Sequence, residues 1–163
     1  MNRTEMSILE ILTEDARTPA ERIAIMTGKT PDEIRETIER LEDQKIILKY
    51  PAMINWEKVD VDEVEALIEV RVTPQRDEGF DAIAEKIYRF EEVSSVYLMS
   101  GGYDLMVMLK ARTLKQLALF VAEKLSTIEN VLSTATHFVL KKYKQQGVIF
   151  EEAPADMRLK VTP

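Results

Sequence analysis

The chain contains no cysteine and a single histidine, His137. The first absence excludes a disulfide framework and any thiolate metal site, and the second rules out a histidine metal cluster. No stretch of roughly eighteen apolar residues runs uninterrupted, and "MNRTEMSILEILTEDARTPAE" meets charges before a signal-peptide core could form. A soluble, cytoplasmic protein with no membrane partner is therefore expected. A basic segment is lacking as well. The net charge is −7, with 8 basic and 11 acidic residues in 1–50, 1 and 4 in 51–63, 11 and 11 in 64–147, and 2 and 3 in 148–163. That balance argues against indiscriminate coating of nucleic acid and leaves room only for a small DNA-reading element inside an acidic whole. There is no phosphate-binding loop or catalytic triad signature, and no nucleophile or paired base stands at a telling spacing from His137. His137 reads as a packed or surface residue, and neither an enzyme nor a cofactor is expected.

What is present is a chain of 163 residues that is 45% hydrophobic, enough to bury the core of one ordinary domain or two small ones. Residues 1–50 hold three helical patterns. In "EMSILEILTED" the apolar residues Ile8, Leu9, Ile11 and Leu12 recur at helical spacing and predict a short first helix. "TPAE" at Thr18–Glu21 and "TPDE" at Thr30–Glu33 each offer a threonine N-cap, a proline at the first helical position and a glutamate to complete a capping box. The first opens a helix with Ile23, Ala24 and Met26 that Gly28 ends in the left-handed conformation. The second opens a longer helix with Ile34, Ile38 and Leu41 on one face.

Two helices separated only by "TGKT" must turn sharply, and the first helix covers their shared apolar side, as in a helix-turn-helix. With Gly28 as the ninth position of such a unit, small Ala24 falls fifth, where the helices touch, and Ile34 fifteenth, in the shared core. Ile46, Ile47 and Leu48 in "QKIILKYPAMINW" then form a β-prone run interrupted by Pro51, as a wing would. The expected organisation is a winged helix-turn-helix over 1–54, an acidic linker over 55–63, a second domain over 64–147 and a C-terminal extension without clear period over 148–163.

In the second domain the periods alternate. "VEALIEVRV" predicts a half-buried strand ending near Pro74, and "GFDAIAEKIYRF" a helix with Phe80, Ile83, Ala84, Ile87 and Phe90 on one face. "VSSVYLMS" and "YDLMVMLKA" read as strands joined through Gly101 and Gly102. "LKQLALFVAEKLSTI" reads as a helix aligning Leu114, Leu117, Ala118, Val121, Leu125 and Ile128, and "VLSTATHFVLKKY" as a last strand. The order β-α-β-β-α-β is the ferredoxin-like arrangement, an antiparallel sheet with both helices on one face, so the fold class is α+β. Nothing in the chain covers the other face; a second subunit is the simplest cover, and a homo-oligomer, at least a dimer, is expected. "MSGGYDLMVML" has two readings, a tight hairpin whose glycines permit positive φ or a place that holds a small molecule. Met99, Met106 and Met108 flank it as core or interface filler, or as lining for an apolar ligand side chain.

"ILEILTEDARTPAERIAIMTGKTPDEIRETIERLEDQKIILKY" holds a D-x-R at Asp15–Arg17 and an R-L-E at Arg40–Glu42, and a module with G-x-Y-D at Gly101–Asp104 follows it. In this order, over about residues 5–145, they resemble the leucine-responsive/asparagine-synthase regulator (Lrp/AsnC, feast/famine) family. The resemblance implies a sequence-specific DNA-binding transcription regulator whose oligomer responds to a small effector. Its winged domain would read double-stranded DNA, and its second domain would form dimers, tetramers or octamers. Amino acids are the usual effectors, bound between subunits near G-x-Y-D. Carried over by position, the effector site would use Ser100, Gly101, Gly102, Tyr103 and Asp104, with Thr134 and Thr136 from the last strand. An amino acid's ammonium suits a carboxylate such as Asp104, and its carboxylate suits the backbone N–H groups of a glycine turn.

The second helix of the helix-turn-helix departs from the family's several basic residues, for "TPDEIRETIERLED" sets Asp32, Glu33, Glu36 and Glu39 beside Arg35 and Arg40. Carboxylates near phosphates cost affinity, although they can accept from cytosine in the major groove. The DNA-contact candidates are Thr30, Arg35, Thr37 and Arg40, with Lys29, Lys45 and Lys49 on phosphates. Glu36 and Arg40 also stand at the spacing of an i,i+4 pair on a solvated face. A reading from another class is a metabolite-binding oligomer whose winged domain contacts protein.

Overall fold

The computed structural model describes residues 1–59, 61–73 and 79–150. The strand end expected near Pro74, Asp60 of the linker and the tail from residue 151 lie outside them. The chain divides into two units, residues 1–54 and 55–163.

The first unit holds α1 (Arg3–Glu14), α2 (Ala20–Thr27) and α3 (Pro31–Asp43). Helix α3 begins as its sequence predicts. The Thr30 hydroxyl accepts the Glu33 amide at 3.3 Å and the Glu33 carboxylate accepts the Thr30 amide at 2.8 Å. Asn2 and Glu5 form a second reciprocal box at the start of α1. Helix α2 corrects its expectation, since its N-cap is Pro19, extended and without a side-chain cap. The Thr18 amide is already bound to the Asp15 carbonyl at 3.0 Å in the turn after α1, which puts Thr18 one residue too early. Glu21 consequently does not close a box and pairs with Arg35 instead. Gly28 ends α2 at φ 68°, and the Lys29 amide closes onto the Ala24 carbonyl at 3.0 Å. Ile8, Ile23, Ala24 and Ile34 form the buried core, with Ile11, Leu12, Ala20 and Ile38 packed against it.

The expected wing strand is not formed. Lys45 turns left-handed at φ 58°, and the amides of Ile46 and Ile47 both donate to the Leu41 carbonyl, at 2.9 and 3.1 Å. Donors that a strand would use are consumed in closing the end of α3.

The second unit carries β1 (Val64–Val72), α4 (Phe80–Tyr88), β2 (Val93–Leu98), β3 (Leu105–Ala111), α5 (Leu114–Phe120) and β4 (Val131–Phe138). The strands form one antiparallel sheet in the order β2-β3-β1-β4. Alternation along β1 and β3 sends Ala66, Ile68, Val70, Leu105, Val107 and Leu109 into one core with Ile83, Ile87, Leu117, Phe120 and Leu125 of the helical segments. Phe90 meets Phe120 edge-on with centroids 5.2 Å apart. Beyond Phe120 the helix widens into a π turn over Val121–Leu125; Ile128 lies past it and still packs against the core, whereas Leu114 and Ala118 are exposed rather than aligned with it. The opposite sheet face carries Leu67, Glu69, Tyr97, Met106, Met108, Ala135 and His137, and no described helix packs on it.

After β4 a short hairpin forms from β5 (Lys144–Gln145) and β6 (Val148–Ile149). Gln146 and Gly147 supply its two positive φ values, 47° and 86°. Phe150 follows, buried, its amide on the Tyr143 carbonyl at 3.0 Å. The beginning of the expected extension is thus folded into the second unit.

Candidate functional site

Strand β1 organises the effector-site candidates at one end of the sheet. Val70 pairs with Leu105 of β3 on one side and Thr134 of β4 on the other, and Ile68 pairs with Val107 and Thr136. Residues directly opposite in an antiparallel pair share a face, so Thr134 and Thr136 lie on the helix-covered side. The segment 99–104 and Thr134 thus flank the same stretch of β1, two strand spacings or roughly 10 Å apart. Thr134 Oγ1 stands 3.2 Å from Ser126 Oγ, just past the π turn. Ser126 was not foreseen, because nothing in the helical pattern announces where a helix widens.

Asp104 anchors the loop. Its amide donates to the Val70 carbonyl at 3.1 Å, its carbonyl accepts the Met99 amide at 2.8 Å, and its Oδ2 accepts the Val72 amide at 2.9 Å. Ser100, Gly101 and Gly102 are exposed, whereas Tyr103 is half-buried with its hydroxyl 3.9 Å from Met106 Sδ. The tight-hairpin reading of the glycines is corrected: neither Gly101 nor Gly102 has a positive φ, because residues 99–104 make a longer loop that needs no primed turn. A Cβ at either glycine would meet nothing within 4 Å. Their smallness therefore answers no need within this chain.

At the other end of β1 the Glu65 carboxylate receives Lys110 at 2.7 Å and Lys142 at 2.6 Å, and Lys110 also reaches Glu63 at 2.9 Å. Burial pushes the Glu65 carboxyl up, but the bonds from Lys110 and Lys142 outweigh it and hold it below the ordinary range. Burial likewise lowers Lys110, and Glu65 and Glu63 outweigh that to raise it. A cavity of about 280 Å³ opens here beside Trp56, Val61, Glu65 and Lys142, lined by none of the expected effector residues. His137 is exposed, with Nε2 3.3 Å from Glu69 Oε1 on the uncovered sheet face.

In the first unit most of the DNA-contact candidates already have partners. Arg35 pairs with Asp32 at 2.6 Å and with Glu21, and Lys29 reaches Glu33 at 3.4 Å. Arg40 binds Glu5 at 2.6 Å, not Glu36 as the i,i+4 spacing predicts, because the Glu5 carboxylate is nearly buried at the foot of α1 and offers a fixed target. The Asn2 amide and then Arg40 hold Glu5 below the ordinary carboxyl range; the Thr30 amide and hydroxyl do the same for Glu33. Thr30 caps the helix and Thr37 donates to the Glu33 carbonyl at 2.7 Å. Lys45 and Lys49 are exposed beyond α3. The face of α3 opposite Ile34, Ile38 and Leu41 presents Asp32, Glu36, Glu39 and Asp43 to solvent.

Residues 1–42 match the model of the AsnC-type helix-turn-helix domain, and residues 65–149 that of the Lrp/AsnC ligand binding domain. The HTH-type transcriptional regulator YugG of Bacillus subtilis is 51% identical over 164 residues, which span 100% of this chain and 99% of that protein. LrpA of Pyrococcus horikoshii is 34% identical over 137 residues, 84% of this chain and 94% of that one. The same fold occurs in a Neisseria meningitidis transcriptional regulator solved as its L-Met complex, with TM-score 0.71 and 23% identity over 89% of this chain and 93% of that one. These relatives are transcriptional regulators rather than enzymes, and this chain belongs to the Lrp/AsnC family of HTH-type transcriptional regulators, with a DNA-binding and a ligand-binding domain.

Proposed function

We propose that the protein works in the cytoplasm as a homo-oligomer that binds double-stranded DNA through its first 54 residues and responds to an amino acid held at the loop before β3. The observation that carries this reading is the Ser100–Asp104 loop, stitched by Asp104 to the stretch of β1 that Thr134 flanks from the other side, with open space around both glycines. Backbone N–H groups of Ser100–Tyr103 would receive the effector's carboxylate, and the hydroxyls of Thr134 and Thr136 its remaining polar groups. The L-Met complex of the Neisseria regulator supports an amino acid as the ligand class. The second subunit would cover the sheet face of Tyr97, Met106 and Met108, and residues 55–63 would link the two functions.

On DNA, Thr30, Arg35, Thr37 and Arg40 would face the groove, with Lys29, Lys45 and Lys49 toward phosphates. The carboxylates that engage Lys29, Arg35 and Arg40 favour a second reading, in which the first unit contacts a protein instead. Calorimetry of the full chain against each of the twenty amino acids tests the effector. Selection of duplexes from a random library, followed by titration across salt, tests the DNA. A specific complex whose affinity shifts with the bound amino acid is expected; failure to select any duplex would leave only the second reading.

A further inference from the structure

The geometry points to Asp104 as a positioning residue. Its carboxylate holds the Ser100–Tyr103 backbone in register with Thr134 and acts on the effector through that placement rather than through its charge. This rests on the effector reading above. Strand β3 begins at Leu105, opposite Val70, so Val72 has no β3 residue across from it. Its amide would lack an acceptor in a residue only 6% exposed, and Asp104 Oδ2 supplies one at 2.9 Å, in place of a strand carbonyl.

The same point of β1 is gripped from the other side. The pairing of β1 with β4 shifts between Arg71 and Val72, where Val72 meets Val131, and the Thr73 amide donates to the Asn130 carbonyl at 2.9 Å. The loop and the start of β4 are therefore fastened to neighbouring residues of one strand, and Thr134 stands three residues after Val131. Displacing the loop displaces the platform that aligns the threonine with it. A neutral amide donor requires an acceptor but not a charge, so the amide oxygen of asparagine can serve in the same position.

Asp104→Asn keeps the acceptor and removes the charge, whereas Asp104→Ala removes both. The experiment is calorimetry of the full chain against each of the twenty amino acids, with backbone amide hydrogen exchange at Val72 and residues 100–103. Asp104→Asn is expected to keep Val72 protected and to bind the wild-type effector within about threefold, while Asp104→Ala exposes Val72 and weakens binding about tenfold or more. Should Asp104→Ala lose its sheet signal in circular dichroism, Asp104→Asn alone decides. Affinity lost in Asp104→Asn with Val72 still protected overturns the proposal and gives the carboxylate to the effector's ammonium. Full affinity in Asp104→Ala overturns it as well. If no amino acid binds the wild type, the effector class falls instead. The positioning role is then decided by exchange, and unchanged protection of 100–103 in Asp104→Ala overturns it.

Discussion

Arg40 Nη2 lies 2.6 Å from Glu5 Oε1, which pins the last turn of α3 to the first turn of α1. The partner of this arginine is thus inside the first unit, and removing the arginine leaves a carboxylate that is 90% covered, still beside the Asn2 amide and the N-terminal ammonium 3.9 Å away but without its guanidinium. Arg40→Ala is expected to lower the unfolding midpoint of the first unit, and Glu5→Gln with Arg40→Ala to lose less than the two single changes summed. Thermal unfolding of the four variants checks this; simple additivity would mean the pair is a surface contact.

The Glu36 and Glu39 carboxylates on the outer face of α3 oppose approach to phosphates. Changing both to glutamine is expected to raise affinity for random duplex several-fold at low salt while narrowing the margin for the selected duplex. Fluorescence anisotropy across potassium chloride concentrations reads both. Unchanged affinity for either duplex would remove α3 from the groove.

Gly101→Ala and Gly102→Ala are expected to leave chain stability within about 0.5 kcal/mol, since neither φ is positive and the added carbon meets no atom. Both should weaken the effector response. By contrast Gly28→Ala, at φ 68°, should cost about 1 kcal/mol. Chemical denaturation beside amino-acid calorimetry separates these outcomes, and a destabilised Gly102→Ala with normal binding would make the loop purely structural.

Glu65 and Lys110 predict how the second unit responds to pH. A carboxyl held below its ordinary 4.5 contributes stability above that value and loses it as pH falls through the lowered one. An ammonium raised above 10.5 contributes below that value and loses its contribution as pH climbs through the raised one. Unfolding midpoints should therefore decline below 4.5 and above 10.5, and Glu65→Gln should flatten the acid limb. An unaltered acid limb in that variant would assign it to other carboxylates.

Tyr97→Glu places a charge at a position 49% exposed in the single chain, on the sheet face with Met106 and Met108. The variant is expected to sediment as a smaller species than the wild type with little change in monomer folding. Identical sedimentation would remove the proposed subunit contact from this face.

Much of this was legible along the chain because it depends on neighbours in sequence. The Thr30 box, the left-handed Gly28 and the period-2 strand of Val64–Val72 are local, and each sits where its residues direct it. Two of the misreadings share a cause: a local signal lost a competition for hydrogen bonds. Thr18 was captured by the turn at Asp15, and the amides of Ile46 and Ile47 by the end of α3.

Sequence by itself determined the start of α3, the order of helices and strands along the chain and the family, since periodicity and capping act over a few residues. Only the tertiary structure decided the long-range partners of the charged side chains. Arg40 bound Glu5 from 35 positions away, Lys110 and Lys142 converged on Glu65, and Asp104 turned one oxygen to Val72 across the sheet. Such partners are chosen by which strands and helices come to lie side by side, and no spacing within one element encodes that.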